Sequence, residues 1–232
     1  MQWSMHTDID FLIEATLDAP WPQPVDLACL RREAGEVVAR LVDRLEHEPG
    51  ALRRRRICDL LVDVAVDPGR LAPYLTTSSW YVARNLAYVL GELRDPNGIA
   101  LLGTLGRHEE YRVRREVIDA LRKIPGERSR AALRSFVHDP DPRIRRHLID
   151  GMGSGYDPQL ASWLLGIVRS RDYSRAGASL KEAAIAALAR MGASEAQPVL
   201  ERVARRRWVF GRMRRLQDAA RGALAQAYSS SR

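Results

Sequence analysis

The chain has 232 residues, 46% of them hydrophobic and 28% charged, with a formal net charge of +8. This balance is typical of a globular protein, and the longest apolar runs fall short of the roughly 18–20 residues of a membrane span. The first residues lack the basic and apolar pattern of a secretory signal. The sequence therefore predicts a basic cytoplasmic protein without a membrane span.

The amino-terminal quarter predicts two helices, at residues 8–18 and 25–47, on either side of the Pro-rich stretch APWPQP. Both helices are acidic on their polar faces, as expected of a unit that covers the open end of a repeat stack. The sequence predicts a cap at residues 1–50. Residues 51–228 continue from it as repeats of the same domain, and residues 229–232 form a disordered tail.

An apolar stripe at helical spacing recurs through the rest of the chain. Val82, Leu86 and Leu90 form it first, and the same positions return after 31 residues, again after 31, and then twice after 36. A second stripe, which includes Leu71 and Tyr74, precedes each of these helices with the same step. Pro and Gly end the helices, and Asp, Asn or Ser begin the next. This pattern predicts an all-α, right-handed α-solenoid of about six stacked helix pairs.

One repeat, HDPDPRIRRHLIDGM, places Asp139, Pro140 and Arg145 ahead of the stripe and resembles the HEAT-repeat family in its compact bacterial form. The resemblance covers about residues 52–228. It implies that the turn Asp and the Arg six residues later link neighbouring repeats in a ladder. Ala83 departs from this pattern, because it stands where the arginine is expected. The family includes scaffolds, adaptors, lyases and a few DNA enzymes, so the fold alone does not select a function.

Two columns of basic residues follow the repeat. The first basic column is the ladder position, for which we expect a structural role: Arg54, Arg114, Arg145 and Lys181. The second basic column lies about 200° from the apolar stripe, on the predicted concave surface: Arg55, Arg84, Arg115 and Arg146. Four residues later stand Asp59, Asp119 and Asp150, which predicts (i, i+4) ion pairs. Only the repeat of Arg84 has Tyr88 in that place and no acid.

Alternating charge favours a protein partner over a polyanion, and Trp, Tyr and Arg dominate protein interfaces. The predicted partner-binding residues are Trp80, Arg84, Tyr88, Arg115, Asp119, Arg146 and Asp150. A second basic cluster between the last two helices is a candidate anion-binding site, with a solvated loop as its alternative: Arg205, Arg206, Arg207, Arg212, Arg214 and Arg215. The insertion at residues 169–180 predicts an exposed, mobile loop.

No arrangement of residues indicates catalysis. The five histidines are scattered, Cys29 and Cys58 have no metal or redox spacing, and the glycines lie at helix ends. We expect no enzyme activity, cofactor or metal, and a scaffold or adaptor that binds another protein. The alternative is a DNA-binding protein, including an enzyme similar to the HEAT-like alkylpurine DNA glycosylases. Those carry a catalytic Asp among aromatic residues, which the groove positions here lack. A bilin-lyase-type protein is a third alternative that no residue favours.

Overall fold

The computed structural model describes residues 8–19, 24–76, 79–152, 157–206 and 211–230, and within these ranges the chain is helical and contains no strand. None of the helices in these ranges combines the length and apolar character needed to cross a bilayer. The chain divides into two compact units, Met1–Ala132 and Leu133–Arg232. The predicted all-α class is confirmed.

Consecutive helices build the first unit. In chain order they are α1 (Ile9–Asp18), α2 (Pro24–Arg32), α3 (Ala34–His47), α4 (Ala51–Val64), a 3-10 helix (Pro68–Tyr74), α5 (Trp80–Leu93), α6 (Gly98–Leu105), α7 (Tyr111–Lys123) and the start of α8 (Glu127–Arg134). The second helices of successive pairs, α4, α5 and α7, pack side by side, and α6 packs on the 3-10 helix. This is the solenoid arrangement that the repeat predicts.

The prediction of one long helix at residues 25–47 is wrong. The chain leaves helical geometry at Glu33, with φ −103° and ψ 31°, so that α2 and α3 are separate. Gly35, which follows two residues later, has the weak helix propensity expected beside such a break.

The helix predicted around Leu71 and Tyr74 is a 3-10 helix, because Pro73 lies inside it. Proline has no N–H to donate and disfavours α-helical geometry in the residue before it. The shorter turn still buries Leu71 completely.

The predicted apolar stripes form the core of the first unit. Val82, Leu86 and Leu90 of α5 are buried against α7, whose Val113 and Val117 are fully buried. The two helices approach closely at Gly91, where an added Cβ would lie 2.6 Å from Cα of Ala120.

The second unit continues the alternation. After a 3-10 helix (Ser135–His138) come α9 (Pro142–Asp150), α10 (Pro158–Arg169), α11 (Arg175–Arg190), a further 3-10 helix (Ser194–Ala196), α12 (Gln197–Arg205) and α13 (Gly211–Ser230). The second helices α9, α11 and α13 again pack in sequence, and α10 packs on α12. Helix α13 includes the first two residues of the tail predicted at 229–232.

The loop predicted at residues 169–180 is shorter than expected. Helix α11 begins at Arg175, where the Ser174 hydroxyl accepts a hydrogen bond from the backbone N–H of Gly177 at 3.0 Å. Ala178 and Leu180 are buried. Half of the insertion therefore lengthens a helix rather than a loop.

Candidate functional site

The arginines of the first basic column hold the turn that precedes their own helix. Nη1 of Arg114 donates to the backbone oxygens of His108 at 2.8 Å and Glu109 at 2.7 Å. The two other arginines of the column donate in the same way to the backbone oxygens of the residues six and five positions earlier. Arg54 donates to Glu48 and Pro49, and Arg145 donates to Asp139 and Pro140. The expected structural role is confirmed.

At the turn before α9 the Asp of the repeat takes part as well. The Arg145 guanidinium bonds the backbone oxygen of Asp139, and one carboxylate oxygen of Asp139 accepts from the backbone N–H of Asp141 at 2.9 Å. These bonds fix a turn within one helix pair. Ala83, which lacks the guanidinium, is fully buried.

Lys181 continues the first basic column in α11 and is only 2% exposed. Its ammonium lies at the end of α10, with backbone oxygens of Ile167 at 2.9 Å and Ser170 at 2.5 Å, and the Ser170 Oγ at 2.8 Å. A cation at this end of a helix complements the unpaired carbonyl groups and the helix dipole. Burial lowers the pKa of Lys181, and the negative charge of Asp172 opposes that shift.

The second basic column forms the predicted ion pair in α4. Nε of Arg55 lies 3.0 Å from Oδ1 of Asp59, and both side chains are more than half exposed. Tyr88 of α5 lies beside this pair: its hydroxyl donates to Asp59 at 3.5 Å, and the Arg55 guanidinium carbon is 4.5 Å from the centre of its ring.

Tyr88 also contacts a second cation. Nζ of Lys123, at the end of α7, lies 4.8 Å from the ring centre of Tyr88 and donates to Oε1 of Glu92 at 2.8 Å. Burial and the nearby Glu92 carboxylate raise the pKa of the Tyr88 hydroxyl. The hydrogen bond from Lys123 lowers the pKa of Glu92. Tyr88, predicted as a partner contact, is therefore also a centre of contacts among three helices.

Arg84 has no acid four residues later on its own helix, and its acidic partner comes from the next second helix. Its Nε lies 3.4 Å from Oε2 of Glu116, which α7 supplies from 32 residues away. Trp80, at the start of α5, lies under the guanidinium of Arg112, whose carbon is 4.9 Å from the ring centre. Arg84 remains about half exposed, whereas Trp80 is half-buried.

The ion pair predicted between Arg115 and Asp119 is not formed. Asp119 accepts instead from Nη1 of Arg122 at 2.8 Å, three residues later on α7. Arg115 is exposed and forms no ion pair with any residue that the structure describes.

The second unit carries the last predicted pair. Nε of Arg146 lies 2.9 Å from both carboxylate oxygens of Asp150. Nη1 of Arg146 also donates to the backbone oxygen and hydroxyl of Ser179, so that it joins α9 to α11. This predicted ion pair is confirmed.

The candidate anion-binding cluster divides between described and undescribed residues. Arg205 is 83% exposed and lies 3.6 Å from Glu201, whereas Arg206 donates to the Tyr173 hydroxyl at 3.3 Å. Arg214 and Arg215 are exposed on α13. Arg207 and the side chain of Arg212 lie outside the described residues.

Arg206 borders a cavity of about 330 Å³ within the second unit. Sequence reasoning missed three polar residues that also line it: Arg169, Tyr173 and Arg202. The signal was weak, because Arg169 and Tyr173 stand 33 and 29 residues before Arg202, on α10 and the following loop, and they do not occupy equivalent repeat positions.

Within the ranges that the structure describes, the buried thiol of Cys58 is not activated and no metal centre is found. Burial raises the pKa of the Cys58 thiol to about 12, which disfavours the reactive thiolate. The same ranges bring together no group of three His, Cys, Asp or Glu residues that could hold a metal ion.

Comparison with known proteins identifies the repeat. Residues 69–149, from the 3-10 helix Pro68–Tyr74 through α9, match the family model for HEAT repeats. Curated protein sequences show no match to the chain. Among solved structures, the chain is similar to human deoxyhypusine hydroxylase in complex with glycerol, with 16% sequence identity and a TM-score of 0.46. That similarity covers 95% of this chain and 84% of the other.

Proposed function

We propose, because residues 69–149 match the family model for HEAT repeats, that the protein is a non-catalytic scaffold or adaptor that binds another protein. The proposed binding surface in the first unit is the paired face, formed by exposed and partly buried residues of α4, α5 and α7: Arg55, Asp59, Arg84, Tyr88, Glu116, Asp119 and Lys123. The observation that carries the proposal is the set of contacts that joins most of these side chains across helices.

Those contacts hold the side chains in place before a partner arrives. Arg84 is fixed by Glu116, and Tyr88 lies between Arg55 and Lys123 while its hydroxyl bonds Asp59. Ordering a flexible side chain at an interface costs about 0.5–1.5 kcal/mol. A face that is already ordered avoids much of this cost, and Tyr and Arg are the residues that contribute most at interfaces.

The charge of the paired face supports a protein partner rather than a nucleic acid. Its guanidinium and ammonium groups lie beside carboxylates, as in the pairs Arg55–Asp59, Arg84–Glu116 and Lys123–Glu92. A nucleic acid binds when its phosphates pair with basic side chains and release small, mobile counterions. On the paired face the phosphates would also meet carboxylates of the protein, which cannot be released and which repel them. A protein surface with charges of both signs can match such a pattern.

The alternative, DNA binding with or without glycosylase activity, draws its support from the net charge of +8. The carboxylates at the groove positions argue against that enzyme class, since Asp59, Asp119 and Asp150 each lie in an ion pair with an arginine.

The first experiment measures binding of a fluorescent, non-specific DNA duplex at low and at physiological salt. The proposal expects no salt-sensitive binding that depends on Arg84. Micromolar or tighter affinity, a steep salt slope and loss in Arg84→Glu or in a charge-reversed 205–207 cluster would establish the alternative.

The second experiment compares partners captured by the wild type and by variants. The double variant Arg84→Glu, Tyr88→Ala changes the paired face, and Arg107→Glu changes an exposed arginine in the turn between α6 and α7. We expect a specific partner to be lost by the first and retained by the second, with direct affinity reduced at least about tenfold. Equal binding by both variants would contradict the proposed surface.

A further inference from the structure

The cavity of the second unit has apolar walls built from four helices. Val168 of α10, Ile185 of α11 and Leu216 of α13 are buried side chains that line it, and Val199 and Val203 of α12 complete the wall. Its volume of about 330 Å³ lies at the lower end of the range for small-molecule sites. Since water occupies about 30 Å³ per molecule in the liquid, the cavity has room for roughly ten non-hydrogen atoms.

The polar part of the lining is cationic. It consists of Lys181, Arg169, Arg202 and Arg206 together with Tyr173, and the described lining contains no Asp or Glu. Arg169 and Arg202 form no ion pair or hydrogen bond with any residue that the structure describes. Four cations around one small cavity repel one another, and a bound anion would relieve that repulsion.

Lys181 gives this lining a fixed, desolvated charge. Its hydrogen bonds run to neutral acceptors, the backbone oxygens at the end of α10 and the hydroxyl of Ser170, rather than to a carboxylate. Nζ lies 5.1 Å from the ring centre of Tyr173, whose hydroxyl accepts from Arg206. Lys181, Tyr173 and Arg206 thus form a connected row of side chains at the cavity. Because Lys181 is only 2% exposed, solvent screens its positive charge little, and that charge acts strongly on whatever enters the cavity.

We propose that this cavity binds a small amphipathic anion of about ten non-hydrogen atoms, with an apolar body and one terminal carboxylate or phosphate group. The apolar body packs on Val168, Ile185 and Leu216, and Arg202 and Arg206 bind the anionic end. Guanidinium groups suit this task because they form paired, charge-assisted hydrogen bonds with carboxylate and phosphate. The inference is independent of the proposed protein-binding role, which rests on residues of the first unit.

Isothermal titration calorimetry of the full chain with three eight-carbon probes tests the ligand class. Octanoate and octyl phosphate carry the two anionic ends, and 1-octanol is the neutral control; all are kept below the concentrations at which they aggregate. We expect saturable one-to-one binding of at least one anion, about tenfold or more tighter than 1-octanol. Whichever of octanoate and octyl phosphate binds more tightly shows whether the site prefers a carboxylate or a phosphate. No saturable binding of either anion, or equal binding of 1-octanol, overturns the proposal.

Neighbouring arginines provide a matched test of the location. Arg206→Ala and Arg202→Ala each remove a cation that lines the cavity, whereas Arg205→Ala removes one that is 83% exposed and paired with Glu201. Each of the first two changes should weaken anion binding about tenfold, and the third should leave it within about twofold. These side chains are exposed, so all three variants should fold, which circular dichroism verifies. Unchanged binding in both Arg206→Ala and Arg202→Ala, or a loss in Arg205→Ala as large as theirs, overturns the assignment.

Discussion

The chain has only two lysines, one in each compact unit, and each lies beside a tyrosine ring. Lys123 of the first unit is partly exposed, with Glu92 at 2.8 Å and the Tyr88 ring at 4.8 Å. Lys181 of the second unit is buried, with backbone oxygens around its ammonium and the Tyr173 ring at 5.1 Å. One positive charge is neutralised by a carboxylate, and the other is solvated by neutral dipoles.

Because of this difference, the same basic residue types form a nearly neutral surface in the first unit and a cationic cavity in the second. A lysine beside a carboxylate adds no net charge to its surroundings, so the paired face stays close to neutral and suits a partner with both charges. A lysine held by carbonyl groups has no bonded carboxylate to neutralise it, and the lining of the cavity beside it is cationic. Counting basic residues in a sequence cannot tell these cases apart.

The largest expected loss of stability comes from a substitution that disrupts the packing of α5 on α7, which supports the paired face. A Cβ added to Gly91 would lie 2.6 Å from Cα of Ala120, so Gly91→Ala must push α5 away from α7. We expect a loss of about 2–3 kcal/mol in the free energy of unfolding, measured by urea denaturation. Gly103→Ala is the matched control: a Cβ there meets nothing within 4 Å, and we expect a gain of about 0.4–1 kcal/mol. Equal stability of the two variants would contradict the close approach.

Replacing each lysine with methionine tests the comparison directly. Lys181→Met leaves the backbone oxygens of Ile167 and Ser170 without their donor, which should lower the free energy of unfolding by about 1–3 kcal/mol. Lys123→Met removes a partly exposed ion pair and should cost less than about 1 kcal/mol. Urea denaturation of both variants measures the difference. A larger loss in Lys123→Met would reverse the interpretation.

Arg114 extends the test to the first unit, since it occupies the same column as Lys181. It is 8% exposed and bonds two turn oxygens, so Arg114→Met should cost about 1–2 kcal/mol. Arg115→Met, one residue later, changes an exposed arginine that forms no ion pair with any residue that the structure describes, and it should cost less than about 0.5 kcal/mol. Thermal unfolding of the two proteins measures both. If Arg115→Met proves the more destabilising, the turn bonds of this column do not carry stability.

The smallest expected effect is a pH dependence of the free energy of unfolding, caused by Glu92 of the first unit. The pKa of Glu92 lies below its ordinary 4.5 in the folded protein because of the bond from Lys123. The unfolded chain therefore binds more protons between the two values, and stability falls as pH drops below about 4.5 through the lowered pKa. Glu92→Gln should flatten the fall in unfolding free energy between about pH 6 and pH 3 by less than about 1 kcal/mol.

The control for this pH dependence is the partner lysine. Lys123→Met removes the group that lowers the pKa of Glu92, so it should flatten the curve by a similar amount. The double variant Glu92→Gln, Lys123→Met should add nothing further. Additive flattening would show that the two groups act separately.

Much of the fold could be predicted from the sequence because it depends on local spacing. The apolar stripes of α5, α7 and α9 fall where the step of 31 residues places them, and the (i, i+4) pairs of Arg55 and Arg146 are confirmed. Two predictions failed for equally local reasons. Pro73 shortened one helix to a 3-10 turn, and a break at Glu33 divided another.

The partners of the charged residues could not be predicted in the same way. Arg84 lacks an acid four residues later, and its partner Glu116 comes from the next second helix, 32 residues away. Asp119 bonds Arg122 rather than Arg115 because side chains at three and four residues compete for the same carboxylate on one helix. Several arginines with long side chains can reach the same carboxylate, so the surrounding packing determines which of them pairs with it.

By itself, the sequence determined the repeat, the helix pairs and the residues that face the core, because burial of an apolar stripe depends on helical periodicity alone. Only the tertiary structure decided which cations are neutralised and which stay charged. Arg84 and Lys123 find their carboxylates on helices about 30 residues away, and Lys181 finds its carbonyl oxygens at the end of the preceding helix. The ammonium of Lys181 at the end of α10, and the cavity it borders with Arg202 and Arg206, exist only once the helices of the second unit are packed together.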